Sequence, residues 1–145
     1  MSGMVFINFP VADVAKATAF YEAIGFEKNE KFSNEQASSM AWSDTIVVML
    51  LDKSFYATFT DKPIADAKTT SSALFSFSFD SKAEVDAITQ AAVAAGGREL
   101  HDPEDMGFMY SRAVEDLDGN GIGPLWMDPA AAEQGPPDHQ PPAQA

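Results

Sequence analysis

The chain has 145 residues and no cysteine, and its 22 acidic against 9 basic residues give a formal charge of -13. That length buries about two-thirds of the unfolded surface without staples, and the missing thiol rules out disulfides, zinc-thiolate sites, iron-sulfur ligation and a cysteine nucleophile. The negative balance repels nucleic-acid backbones and anionic membranes, no run approaches the roughly 20 apolar residues of a membrane span, and no basic N-terminal segment precedes an apolar one; the expectation is a soluble, cytoplasmic protein with neither nucleic-acid nor membrane partners.

Met4 to Val11 alternates, with Val5, Ile7, Phe9 and Val11 on one face and Met4, Phe6, Asn8 and Pro10 on the other. The first face is expected to meet a helix, the second to form a cavity wall. Asp13 can cap a helix whose stripe is Val14, Ala17, Tyr21 and Ile24, stopped by Gly25. Phe26 to Phe32 reads as a modest strand, and Ser39 to Ser43 and Thr45 to Leu51 as adjacent antiparallel strands. The second of these is apolar on both sides and so buried on both. Between Asp52 and Thr70 the pattern is lost: Lys53 to Phe59 suits a short helix, and the rest reads as a linker or a flap over a pocket.

A second strand-helix unit then begins. Phe75, Phe77 and Phe79 make an apolar face against Leu74, Ser76 and Ser78, and Ser81 to Glu84 is a capping box opening a helix that ends at Gly96-Gly97. Arg98 to His101 and Phe108 to Val114 read as strands separated by a polar loop, DLDGNG at Asp116 to Gly121 as the strongest turn, and Ile122 to Met127 as the closing strand, interrupted at Gly123-Pro124 by a bulge, an edge or a loosened ladder. Beyond Pro129 no apolar period remains. The expected fold is α+β: two tandem βαβββ modules, about 4–51 and 73–129, joined by a linker or flap at 52–72, with curved mixed sheets around a pocket and helices outside. Residues 1–132 form a single domain, and 133–145 a mobile, proline-rich tail.

The order of PVADVAKATAFYEAIGF, WSDTIVVMLL, GFMYSR, EDLDGNG and LWMDP, together with the internal duplication, resembles the vicinal oxygen chelate superfamily, which includes glyoxalase I, extradiol dioxygenases and bleomycin-resistance proteins. In particular it resembles the small bacterial glyoxalase-like branch, over about Met4 to Pro129. The resemblance implies a pocket between paired modules, commonly in a homodimer, and a divalent metal held from the first and last strands of each module. Mapped by the resemblance, the four ligand positions fall at Phe6, Met49, Leu74 and Gly123. None of these supplies a hard donor, so no metal and no cofactor are expected.

What replaces the metal is read as a pocket for a small, partly apolar molecule. Phe6, Met49, Leu74, Leu125 and Met127 would exclude water, and Asn8, Ser76 or Ser78 would fix orientation. Tyr110 and Arg112 share a strand face and join the candidate ligand-binding residues, as groups suited to an anion or carbonyl. A divergent lyase or dioxygenase with a non-standard centre, and a structural or protein-interaction module, are the competing readings. His101 beside Asp102, Glu104 and Asp105 suggests solvated acids more than a metal locus. Asp116 and Asp118 suggest a turn more than a catalytic pair, with no obvious apolar environment to raise either pKa.

Overall fold

The computed structural model describes residues 3–137. Module one runs β1 (Val5–Val11), α1 (Val14–Ala23), β2 (Glu27–Lys28), β3 (Ala37–Ala41) and β4 (Ile46–Asp52). β1 lies parallel to β4, which pairs antiparallel with β3 and β3 with β2, giving the spatial order β1-β4-β3-β2. The Asp13 carboxylate accepts the Lys16 N–H at 3.0 Å and starts α1. Gly25, at φ +99°, turns the chain out of the helix in a conformation that other residues rarely adopt. The strand expected over 26–32 is short, because the Asn29 side chain accepts the Lys31 N–H and opens a 3₁₀ turn at Glu30–Phe32.

The linker begins with α2 (Lys53–Tyr56) and a 3₁₀ turn at Ala57–Phe59, as the sequence suggested. Module two repeats the plan: β5 (Leu74–Phe79), α3 (Lys82–Ala94), β6 (Arg98–Glu99), β7 (Glu104–Asp105), β8 (Met109–Ser111), β9 (Val114–Glu115) and β10 (Gly121–Met127). β5 is parallel to β10, and β8 and β9 pair antiparallel with β10 along its other side. β8 and β9 are one strand in register terms. Ser111 faces Leu125 and Val114 faces Ile122 on the same count, so no residue is inserted between them. The gap falls where Pro124 lacks an N–H to donate. Its carbonyl still accepts the Arg112 N–H at 3.0 Å, which makes the interruption a loosened ladder rather than a bulge.

The helix-facing sides of both sheets share one core. Phe9, Phe20, Tyr21, Met40, Val48, Leu50, Phe77, Val114 and Ile122 are all buried in it. Aromatic contacts cross the module boundary, with Phe9 and Phe75 ring centroids 5.1 Å apart and Phe26 and Phe77 5.4 Å apart. Tyr21 of α1 also donates to Asp116 of module two at 2.6 Å, entirely within the interior.

One boundary needs correction. Residues 129–134 form α4 (Pro129–Gln134), where 133 was expected to begin the tail. The Asp128 carboxylate accepts the Ala130 N–H, Pro129 suits the first turn, and alanines follow; local helix chemistry suffices without an apolar stripe. Residues 138–145 of the expected tail lie outside the described residues. Among the described residues, no helix is long and apolar enough to cross a membrane.

Candidate functional site

The strand pairing divides the expected site residues between two faces. Asn8 lies beside Met49, and Phe6 precedes it by one pleat on the side of the first sheet away from the core. In module two Leu74, Ser76 and Ser78 lie beside Gly121, Gly123 and Leu125, and Met127 follows on the same side. All eight residues therefore occupy the uncovered faces. Phe6 is 55% exposed and Leu74 74%, large values for such side chains in a folded interior-facing sheet. Gly121 has a local reason: a Cβ there would meet Leu74 Cδ2 at 2.6 Å, so glycine lets the leucine lie across the neighbouring strand.

Tyr110 and Arg112 are elsewhere. Tyr110 pairs with Trp126, whose other neighbour is Phe79, and this places them on the helix-covered face. The Tyr110 hydroxyl donates to Asp86 of α3 at 2.6 Å. The Arg112 guanidinium donates to Asp86 at 2.9 Å and forks onto both Glu99 oxygens at 2.9 Å. The tyrosine hydroxyl and the guanidinium hold the Asp86 carboxyl below its usual range, and that carboxylate in turn pushes the Tyr110 hydroxyl up. The Tyr110 hydroxyl and both terminal guanidinium nitrogens of Arg112 are engaged by α3 and β6, while the Arg112 Nε is buried without a partner among the described residues; the two residues join the helix to its sheet on the face away from the other expected site residues. Both tryptophans are also packing groups: Trp42 meets Phe26 and Phe77 at tilted angles and Phe79 edge-on, and Trp126 lies under the Lys82 ammonium at 5.4 Å.

Two cavities open on the uncovered side. The smaller, about 280 Å³, is bounded by Asn8, Leu51, Tyr56, Phe59 and Thr60, so α2 and the following turn form its outer wall. The larger, about 470 Å³, lies between β1, the linker, β5 and the DLDGNG turn; Asn8, Lys53, Tyr56, Lys68, Leu74, Asp118 and Asn120 line it. Asn8 and Tyr56 belong to both. Of the expected residues, the cavities bring together only Asn8 and Leu74. Phe6, Met49, Ser76, Ser78, Leu125 and Met127 lie on the open faces without lining either space.

The sequence reading missed the lysines, Tyr56 and the environment of the turn. Asp116 Oδ1 accepts the N–H groups of Asp118 and Asn120 at 2.9 Å, which shapes the turn. Asp118 accepts the Ala12 N–H at 2.9 Å and is half-buried. Loss of water raises its pKa and the neighbouring Asp116 adds to the rise, against the opposing pull of the Ala12 N–H, Lys53 and Lys68. The expectation that neither carboxyl has a pKa-raising environment therefore fails at Asp118. The distant linker packs against the residue that follows it: a Cβ on Gly119 would sit 2.7 Å from the Ala67 and Lys68 backbone.

A family model described as the Glyoxalase/Bleomycin resistance protein/Dioxygenase superfamily matches residues 3–123. The chain belongs to this superfamily. Solved structures carry the same fold: the hypothetical protein SA1046 from S. aureus matches at 21% identity and TM-score 0.74, covering 87% of this chain and 94% of that one. A glyoxalase-related enzyme from Fulvimarina pelagi matches at 17% identity and TM-score 0.73, covering 87% and 88%. A glyoxalase/bleomycin resistance protein/dioxygenase family enzyme from Burkholderia phytofirmans PsJN matches at 19% and 0.72, covering 87% and 99%. At these identities the likeness is one of fold. No curated protein matches the chain.

The metal implied by the superfamily resemblance does not fit the residues present. Phe6, Met49, Leu74 and Gly123 share the uncovered faces and offer one thioether among them. Among the described residues, no group of three or more histidines, aspartates or glutamates is placed to hold an ion. His101 is exposed, its Nδ1 2.8 Å from the Asp102 carbonyl oxygen and 4.0 Å from Glu104.

Proposed function

We propose that this glyoxalase-superfamily protein binds a small, partly apolar molecule on the uncovered side of its sheets, without a metal at the four mapped positions. The observation that carries this reading is the exchange of donors for apolar groups on a face that stays open: Phe6 and Leu74 remain more than half exposed there, and Leu74 also lines the larger cavity. Asn8 has no side-chain hydrogen-bond partner among the described residues and lines both cavities, so it is free to orient a ligand. Covering about 100 Å² of apolar surface on each partner contributes about 5 kcal/mol before the costs of association, enough for weak capture that polar contacts then sharpen.

The open faces also suit a homodimer, because Met4, Phe6 and Leu74 leave exposed apolar side chains along the first strands of both modules. Native mass spectrometry of untagged protein tests the binding. A stoichiometric small-molecule adduct on the wild type, lost on Phe6→Glu or Leu74→Glu, supports it. Wild type without an adduct after incubation with an apolar fragment set refutes it. Sedimentation at micromolar concentrations tests the dimer separately, and a monomer throughout that range refutes that part.

A further inference from the structure

The two cavities differ in chemistry and meet at the same two residues. Leu51 and Phe59 give the smaller one an apolar wall. The larger is lined by Lys53 and Lys68, and neither ammonium has a carboxylate within 4.0 Å among the described residues. This is unusual company in a chain carrying -13, where acids outnumber bases more than twofold. The acids around the same space are largely engaged. Glu115 is paired with Arg98 at 2.9 Å, Asp66 Oδ1 accepts the Lys68 N–H at 3.0 Å, and one Asp118 oxygen accepts the Ala12 N–H. Asn8 and Tyr56, at the junction, keep their side-chain amide and hydroxyl free of protein partners among the described residues.

The linker that carries Lys68 is held in place. The Asp66 carbonyl oxygen accepts the Thr69 and Thr70 N–H groups, and the Ala67–Lys68 backbone rests against Gly119 of the turn. Lys68 is therefore presented to the cavity by a formed turn, while Lys53 comes from the first residue of α2. Two positive groups from separate segments thus line the same space, with Asp118 also in its lining.

We propose that the ligand is a carboxylate-bearing amphiphile. Its anionic head sits between Lys53 and Lys68 in the larger cavity, and its apolar body passes Asn8 and Tyr56 to lie against Leu51 and Phe59. This rests on the pocket reading above and adds the charge and direction of the ligand. Free ammonium groups in a partly enclosed site supply the attraction, the Asn8 amide and Tyr56 hydroxyl supply the donors at the neck, and the apolar wall accepts an aryl or alkyl chain. A neutral analogue of the same shape keeps the wall and loses the head.

The test compares 3-phenylpropionate with 3-phenylpropionamide on the full chain at pH 7.5, by calorimetry and by amide chemical-shift titration. The same pair is then run on Lys53→Gln/Lys68→Gln, a variant of two exposed side chains whose folding is checked by circular dichroism. Wild type is expected to bind the acid at least about tenfold more tightly than the amide, with shifts at residues 66–70 for the acid alone. In the double variant the ratio should fall to about one while affinity for the amide holds. Equal binding of both probes by wild type, or a preference that survives in the double variant, overturns the charged head and leaves the apolar pocket standing. Failure of both probes to bind at about 5 mM overturns the two readings together.

Discussion

Tyr21→Phe removes one hydroxyl and tests whether the two modules are held together by a polar contact as well as by their aromatic core. Tyr21 is 1% exposed and donates to Asp116 at 2.6 Å, from α1 of the first module to the turn before the last strand of the second. Burial and the neighbouring carboxylate hold the tyrosine pKa well above its ordinary value, so the hydroxyl remains a donor across any working pH. Hydrogen bonds to charged groups contribute about 1.5–3 kcal/mol. Asp116 retains the Asn120 amide at 3.0 Å and two backbone N–H groups after the change, so it is not orphaned, and the loss should lie toward the lower end, about 1.5–2 kcal/mol. For a chain of this size that is a fall in Tm of about 5–7 °C. Urea unfolding followed by tryptophan fluorescence measures it, since Trp42 is packed in the shared core. A cycle with Asp116→Asn should return a coupling of at least about 1 kcal/mol. A single-variant loss below about 0.5 kcal/mol, the ordinary scatter of surface substitutions, would refute the bond as an inter-module tie.

Gly119→Ala should cost about 1–2 kcal/mol from its left-handed φ of +95° alone, and should lift the linker it touches; trypsin cleavage at Lys68 then accelerates relative to wild type. Arg112→Ala should lower stability by about 1 kcal/mol and leave ligand affinity unchanged, since the residue faces α3; weaker binding without weaker folding would return it to the site. The pH dependence has a definite sign. Asp86 has its carboxyl pKa depressed in the fold, so its contribution is present above the unfolded value of about 3.9 and is lost as pH falls through the folded one; Arg112→Ala should weaken that acid-side loss in denaturation curves taken from pH 6 to pH 3. Asp118 runs oppositely, because its folded pKa is raised: the fold is favoured while the group is protonated and loses that advantage as pH rises through the folded value. Asp118→Asn, which keeps an acceptor for the Ala12 N–H, should therefore gain stability relative to wild type more at pH 7.5 than at pH 4.

The fold was legible because its instructions are local and doubled. Alternation in β1 and β5, the Asp13 cap, the Ser81 capping box and the glycine stops each act within a few residues, and two copies of the same order leave few topologies open. The site was legible only where it depends on alternation. Asn8 and Leu74 fall on the expected face because parity along a strand decides the face. Parity also groups Tyr110 with Arg112, but it cannot say which face they share without the register against β10 and the position of Asp86 on α3. The charged cavity was hidden for another reason. Lys68 and Asp118 come to one cavity through a linker with no periodic pattern, and the contact that seats this linker on the turn is made by backbone against Gly119. A side-chain pattern carries no trace of such a contact.

The register also decides how the apolar ligand positions should be understood. A slip of one residue in a strand moves every side chain to the opposite face, so metal-position assignments from sequence stand or fall with it. Here β1 is paired with β4 over its full length, and β5 with β10 through Trp126. Phe6 and Met49 then lie opposite the core residues Ile7 and Val48, and Leu74 and Gly123 opposite Phe75 and Ile122. The alternative register would put Ile7, Val48, Phe75 and Ile122 at the metal positions, at the cost of exposing the aromatic core. Neither set supplies an anionic or imidazole donor. The packing energy that fixes the register is thus independent of any ion, which explains how a glyoxalase-type double module can keep its architecture while its open faces become apolar. The charged cavity beside them is built on segments outside those strands, from α2, the linker and the turn, so its chemistry can change without disturbing either sheet.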